Sequence, residues 1–473
     1  MSRKLFPALR DNHHDMRRAA LITALTGLVV LALSWATVAT THGWPASLPR
    51  HLLLYVAAGA SWAASTVVVP RLTASRAQLW IIVAVGLALR VPAWVTPPAH
   101  SDDVYRYLWD GQVQRSGVNP YRFPPDAPEL AALRGDDWAH VNNRQLPTIY
   151  PPLAQLLFAA TPSLAAWKLL VALADAAVAL LLYLGLADRR RLVIWLWSPL
   201  VVIELGLNAH LDGLGIALLV AALLAWGRRR QSLAGALVAA AAAVKLLPMV
   251  ALLGMRSRRA LVAAAALLVV VALPYVSAGP RIAGSLGEYG RRWRGNDGAF
   301  ALLYAGSEQL VAHTRFARRY PLADSPRLAR WLTGRDRDEI YPDEIANLIA
   351  RAAAGAIFLG VVAWSLWRRL AAARLIELVM GAFVLLTPAL HPWYVLWLLP
   401  LVADGGSWAW LLLAALVPLG YRPLDEWLTR GTWHDPIWTR VLEHGLTLGA
   451  LAIDRWQASG IIVKLGEPRP RRM

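Results

Sequence analysis

Two adjacent carboxylates, Asp102 and Asp103, stand just after an apolar stretch, 77–96, that is long enough to cross a bilayer. They sit in the run His100-Ser101-Asp102-Asp103-Val104-Tyr105-Arg106-Tyr107-Leu108-Trp109-Asp110-Gly111. Carboxylates at the water end of a membrane helix can act on a substrate held among lipid head groups. They can also simply cap the next helix, accepting its free N–H groups at the positive end of its dipole. Two features favour chemistry. The helix that follows is amphipathic and aromatic through Tyr105, Tyr107, Leu108 and Trp109, which lays it on the membrane surface. Asn119-Pro120-Tyr121-Arg122 and Tyr150-Pro151-Pro152-Leu153 then punctuate the same loop with proline-fixed turns.

Other polar positions fall in or beside apolar runs. His210-Leu211-Asp212-Gly213 either opens a helix with Asp212 or offers an imidazole and a carboxylate to the same outer surface. Lys245 is alone in an apolar run, where insertion costs about 2.5–3.5 kcal/mol unless the ammonium finds a partner or a wet cavity. Glu204, Asp175 and a lipid phosphate are its candidate partners. His391-Pro392-Trp393-Tyr394 interrupts a long apolar stretch. Its Trp and Tyr suit an interfacial belt, and its His is the candidate functional member.

The elements that must position these residues are membrane helices. The 473 residues are 57% hydrophobic and 16% charged, with apolar runs between short basic clusters. This predicts an all-α polytopic protein forming one integral domain, 1–473, with about 12–14 transmembrane helices. With no Cys, disulfides and thiolate metal sites are excluded. The net charge of +18 sits at helix ends, where it sets orientation and meets membrane lipid, so nucleic acid is not an expected partner. Arg3, Lys4, Arg10, Arg17 and Arg18 place the N-terminus in the cytoplasm, and Arg71 and Arg76 return to that side, so 77–96 exits. The loop 97–150, with five Arg against seven acids, is then extracytoplasmic. Arg189-Arg190-Arg191 and Arg228-Arg229-Arg230 belong inside, which makes 192–207 and 212–227 a hairpin turning outside at Asn208–Asp212. The stretch 151–187 reads as one span plus an interfacial piece starting at Pro151-Pro152, and 232–255 as two short helices broken near Lys245 and Pro248. A second large outer loop follows at 279–345.

In this order, the double acid, the Trp-Asp-Gly helix, Asn-Pro-Tyr, Tyr-Pro-Pro-Leu, Asn-Ala-His-Leu-Asp-Gly, the broken Lys-Leu-Leu-Pro segment and His-Pro-Trp-Tyr-Val-Leu-Trp resemble the polytopic glycosyltransferases of the GT-C superfamily. The closest likeness is to bacterial polyprenol-phosphate-mannose-dependent mannosyltransferases, and it covers roughly 77–405. The resemblance implies a hexose, mannose by likeness, transferred from a polyprenyl-phosphate donor to an envelope glycolipid or glycan hydroxyl, at the outer face of the cytoplasmic membrane and with inversion. It implies Asp103 as base, with Asp102 as the close second. Arg106, Arg122, Tyr150, His210, Asp212, Lys245 and His391 are the candidate contacts to donor phosphate or substrate. No cofactor is required by the sequence; some relatives place a divalent ion at the acid pair, and hard oxygen ligands there would suit Mg2+ or Mn2+. No Gly-rich nucleotide cradle is present, in keeping with a lipid-linked donor. A lipid-linked sugar flippase or secondary transporter is the alternative, although such proteins place their charges near the bilayer midplane.

Overall fold

The computed structural model describes residues 5–43, 46–314, 320–321, 330, 332 and 339–465. It is almost entirely helical; a two-residue antiparallel pair, Tyr320–Pro321 with Glu339–Ile340, is its one sheet among the described residues. The middle of the second large loop, the first four residues and the basic tail after 465 lie outside the described residues.

The first half is built from α1 (Leu5–Ala39), α2 (Leu48–Val68), α3 (Arg76–Val95), α4 (Asp103–Arg115), α5 (Pro152–Ala160) and α6 (Leu164–Gly185). Ser75 caps α3 by accepting from Gln78 N, and Ser163 caps α6 by accepting from Ala166 N. Among the described residues, the long segments α1, α2, α3 and α6, together with Arg258–Arg292 and Pro342–Trp367, are the six helices long and apolar enough to cross a membrane. Residues such as Leu21, Leu53, Trp80, Leu169 and Leu359 leave their outward faces apolar.

The polytopic all-α class therefore stands, with six helices among the described residues individually long and apolar enough to span. Several apolar runs resolve into short or broken pieces. Trp197-Ser198-Pro199 interrupts 192–207, and Pro199–Leu207 meets Asp212–Gly227 at 120°. Gln231–Val244 stops at Lys245, whose backbone is extended, before a tight turn at Leu247–Val250. The α5–α6 pair matches the interfacial piece and single span expected of 151–187.

The core is tryptophan-rich, and several of its buried indole N–H groups donate across the bundle. Trp62 donates to Val193 O (3.1 Å), Trp197 to Ile82 O (2.9 Å) and Trp195 to Asp175 Oδ1 (2.8 Å). Asp175 is also clamped by Arg90 in a bidentate pair at 2.5 and 3.0 Å. Asp175 is thus occupied, and Lys245 finds its partner elsewhere. Gln231–Val244 lies hard against Arg258–Ala272; a Cβ on Gly235 would fall 2.1 Å from Ala260 O. Small residues let membrane helices approach in this way.

Candidate active site

The acid pair is located by polar groups from two other helices. Lys168 of α6 donates to Ala93 O (3.0 Å) and Thr96 O (2.6 Å), satisfying carbonyls at the C-terminal end of α3 and ending it there. Asn208 Oδ1 accepts from Ala99 N and His100 N, fixing the strand of chain that leads into Asp102 and Asp103. Asp103 then begins α4.

Arg106, one turn into α4, is buried. It donates to Asp110 Oδ1 (3.0 Å) and to the carbonyls of Asn142 (3.4 Å), Asn143 (3.3 Å) and Leu146 (2.9 Å). Its fork wraps 142–146 over the start of the helix. The partners the structure gives Arg106 are thus Asp110 and the loop. Asn142, carried on that loop, donates through Nδ2 to Asp102 Oδ1 (2.7 Å) and Asp103 Oδ1 (2.9 Å). One amide therefore holds both carboxylates to a common point. Burial, reinforced by the neighbouring Asp102 charge, pushes the Asp103 carboxyl up to about 6, against the pull of Asn142 and Lys245. Asp103 is poised to gain or lose a proton near neutrality, as a general base requires.

Opposite the acids stand residues from the second half. His210 Nδ1 lies 3.8 Å from Asp103 Oδ2, and His210 Nε2 lies 3.4 Å from Glu204 Oε2. The His210 ring stacks on Trp393 at 3.8 Å, and the other stacked neighbour of Trp393 is His391 at 4.5 Å. Lys245 Nζ is 2.6 Å from Asp212 Oδ1, which also accepts from Trp397 Nε1 at 2.5 Å, and it rides 4.2 Å above the Tyr394 ring. Asp212, rather than Glu204 or Asp175, is thus the partner of Lys245. The Tyr394 and Tyr289 hydroxyls meet at 2.7 Å, tying the second large loop to this wall. Tyr150 packs edge-on against Tyr107 and Phe158. Arg122 is exposed on the loop and Asp102 lies at the exposed rim.

Asp102, Asp103, His210, Asp212, Lys245 and His391 therefore gather, with Tyr150 in the aromatic wall beside them. Arg106 supports the site from behind, and Arg122 stands outside it. Asn142, Glu204 and Trp393 are the members that sequence reasoning missed. Asn142 lies in a loop of unremarkable polarity, whereas Glu204 was visible as an acid within an apolar run.

Among the described residues no group of three or more His, Asp or Glu side chains is arranged to hold a metal ion. The acid pair alone offers two convergent carboxylate oxygens, with a third oxygen available if the Asn142 amide turns over. That is a donor set fit for a hydrated magnesium or manganese ion, which needs few protein ligands.

A helical membrane bundle with an acid pair under a structured first loop and a lysine facing it defines a polytopic membrane glycosyltransferase of the GT-C type. By profile comparison, the chain belongs to glycosyltransferase family 87, matched over residues 148–388. Residues 2–261 match the family described as alpha-(1->6)-mannopyranosyltransferase, N-terminal domain. The protein is accordingly a glycosyltransferase of the mannosyltransferase kind. No curated protein and no solved structure matches the chain.

Proposed function

We propose that this protein transfers mannose from a polyprenyl-phosphate donor to a hydroxyl of an envelope glycolipid or glycan, at the outer face of the cytoplasmic membrane and with inversion. The observation that carries the reading is Asp103, a carboxyl raised to about 6 at a helix start, facing a half-buried Lys245. Asp103 takes the acceptor proton as the acceptor oxygen bonds to the anomeric carbon. The sugar–phosphate bond breaks, its electron pair leaving on the lipid phosphate. Lys245 meets the charge that develops there, because an ammonium beside a leaving phosphate stabilises it more as the bond lengthens. A divalent ion held by Asp102, Asp103 and Asn142 would supply further neutralisation of phosphate charge.

The outer-face assignment is supported by charge. Asp212 opens the helix Asp212–Gly227, and Arg228, Arg229 and Arg230 follow its other end, about 24 Å away at 1.5 Å per residue. Basic clusters stay in the cytoplasm, so the acid end faces out. The decisive assay is transfer from radiolabelled polyprenyl-phosphate mannose in membranes holding wild type or Asp103→Asn, with a mixture of envelope glycolipid acceptors. The expected loss in the variant is about 10²–10⁴-fold, the range for removing a general base. Wild-type turnover by Asp103→Asn would refute the base assignment. Donor binding without transfer by wild type would refute the sugar or acceptor class.

A further inference from the structure

At the end of the bundle away from the acid pair, the helices part around a cavity of about 390 Å³, within the range of small-molecule sites. The first half of the chain bounds it with the last turns of Leu164–Gly185 and Asp212–Gly227. The second half bounds it with the end of Ala251–Met255, the start of Ala372–Leu386 and the stretch 400–404. Gly227, which lines it, is about 22 Å from Asp212 along their shared helix at 1.5 Å per residue. The cavity is therefore separate from the candidate active site. Its walls are apolar over the two turns from Val220 to Gly227, about 10 Å, through Leu182, Leu186, Leu223 and Leu401.

The rim is charged with both signs. Arg256, Arg369 and Asp404 all border the cavity and all are exposed. Arg256 donates through Nη2 to Leu366 O at 2.9 Å. Neither the Arg369 guanidinium nor the Asp404 carboxylate makes a hydrogen bond or an ion pair among the described residues, although they share this rim. The charge of Arg191 reaches Asp404, but the hydrogen bond Arg191 donates goes to Val402 O at 2.7 Å. Arg256 and Arg369 stand at φ 46° and 52°, where glycine would carry no strain, so the turn itself does not call for arginine. An excess of arginine that sets membrane orientation accounts for the two cations but not for an unpaired carboxylate beside them. Trp226 in the wall is the residue type that marks head-group depth.

We propose that this cavity binds a phospholipid with an ethanolamine head group. An acyl chain lies along the apolar wall, the phosphate meets Arg256 and Arg369, and the ammonium donates to Asp404. A guanidinium fork suits phosphate oxygens, and a carboxylate suits a primary ammonium. An anionic head group would satisfy the arginines and be repelled by Asp404. A choline head group carries both signs but has no N–H to give the carboxylate. The bound lipid joins helices of the two halves of the chain, and this role is independent of the transfer reaction.

The test uses the purified full chain in detergent, with phosphatidylethanolamine, phosphatidylglycerol or phosphatidylcholine of identical acyl chains added. Retained lipid is read by native mass spectrometry and stabilisation by the apparent unfolding temperature. Wild type is expected to bind the ethanolamine lipid about tenfold more tightly than either of the others, the low end for a charge-assisted hydrogen bond, and to unfold at higher temperature as that lipid is added. In Asp404→Asn the preference is expected to vanish while binding of the choline lipid is unchanged. In the double variant Arg256→Gln with Arg369→Gln all three lipids are expected to weaken. A Cβ on Gly227 meets no atom within 4 Å, so Gly227→Phe fills the slot without touching a charge and is expected to release the lipid. Wild type that binds none of the three, or that holds phosphatidylglycerol as well as the ethanolamine lipid, would overturn the inference. So would Asp404→Asn that keeps the wild-type preference.

Discussion

On the proposed function Lys245 has two duties, and one pair of variants can separate them. Its ammonium is 2.6 Å from Asp212 Oδ1, and the Asp212 carboxylate is fully buried while the lysine side chain keeps 28% of its exposure. Lys245→Ala leaves that buried charge with Trp397 Nε1 as its remaining hydrogen-bond donor. Breaking a buried pair from one side costs about 3–5 kcal/mol, and the partial opening of this one to water puts the expected loss near the lower end, about 3 kcal/mol. Adding Asp212→Asn removes the stranded charge but keeps an acceptor for Trp397, so the double variant is expected to regain most of the stability. It is not expected to regain the proposed phosphate contact. A charge-assisted hydrogen bond of about 1.5–3 kcal/mol corresponds to a donor KM raised roughly 10–150-fold, in single and double variant alike. The assay pairs the apparent unfolding temperature in detergent with donor KM in nanodiscs. A double variant with wild-type donor KM and wild-type kcat would show that Lys245 serves Asp212 alone. A single variant with wild-type unfolding temperature would show that the pair carries no structural weight.

The remaining expectations concern the acid loop. Because the raised Asp103 must be ionised to act as base, kcat/KM is expected to level off above about pH 6 and to fall tenfold per unit below it. Asn142 holds the carboxyl down, so Asn142→Ala is expected to move that limb to higher pH; a profile flat between pH 5 and 7 would refute both statements. Arg106→Lys replaces a planar fork by a point charge and cannot reach all three loop carbonyls. It is expected to lower kcat and expose 142–146 to protease, and unchanged protease sensitivity would show that the loop is held by other contacts. Gly111→Ala would push a Cβ to 2.2 Å from Phe158 O, a backbone atom that cannot swing aside, forcing α4 from α5. An expected stability loss of about 1–3 kcal/mol is read from the unfolding temperature.

What the sequence revealed was local. The end of α3, the double acid, the break at Lys245 and the short helix at Pro152 all follow from hydropathy, proline and charge within a few residues. Pairings across the bundle were not legible in this way. Lys245 has several acids in the apolar runs as possible partners, and it pairs with Asp212, just past a 120° bend that hydropathy does not reveal. Arg90 reads as one more basic residue near the end of a span until Asp175 closes on it 85 positions later. Asn142 depends on Arg106 drawing the loop back over the helix, a contact with no periodic signal. Breaks inside apolar runs were hard to place for the same reason. An apolar run of 16 to 20 residues has the composition of a span whether it is straight or folded at a Ser-Pro step.

The setting of Glu204 also bears on how the chain is made. Its hydroxyl partner, Tyr421, is synthesised 217 residues later. At about 5–20 residues per second, the glutamate enters the membrane roughly 10–40 seconds before that donor exists. Asn208, four residues on, is the one side-chain donor to this carboxylate supplied by its own segment, and the early spans contribute Tyr55. Until the last helices arrive, the nascent bundle holds a half-dressed acid at its centre. Closing Tyr421 onto Glu204 therefore waits on the last part of the chain, and a chain arrested before residue 421 would carry the buried acid without that donor.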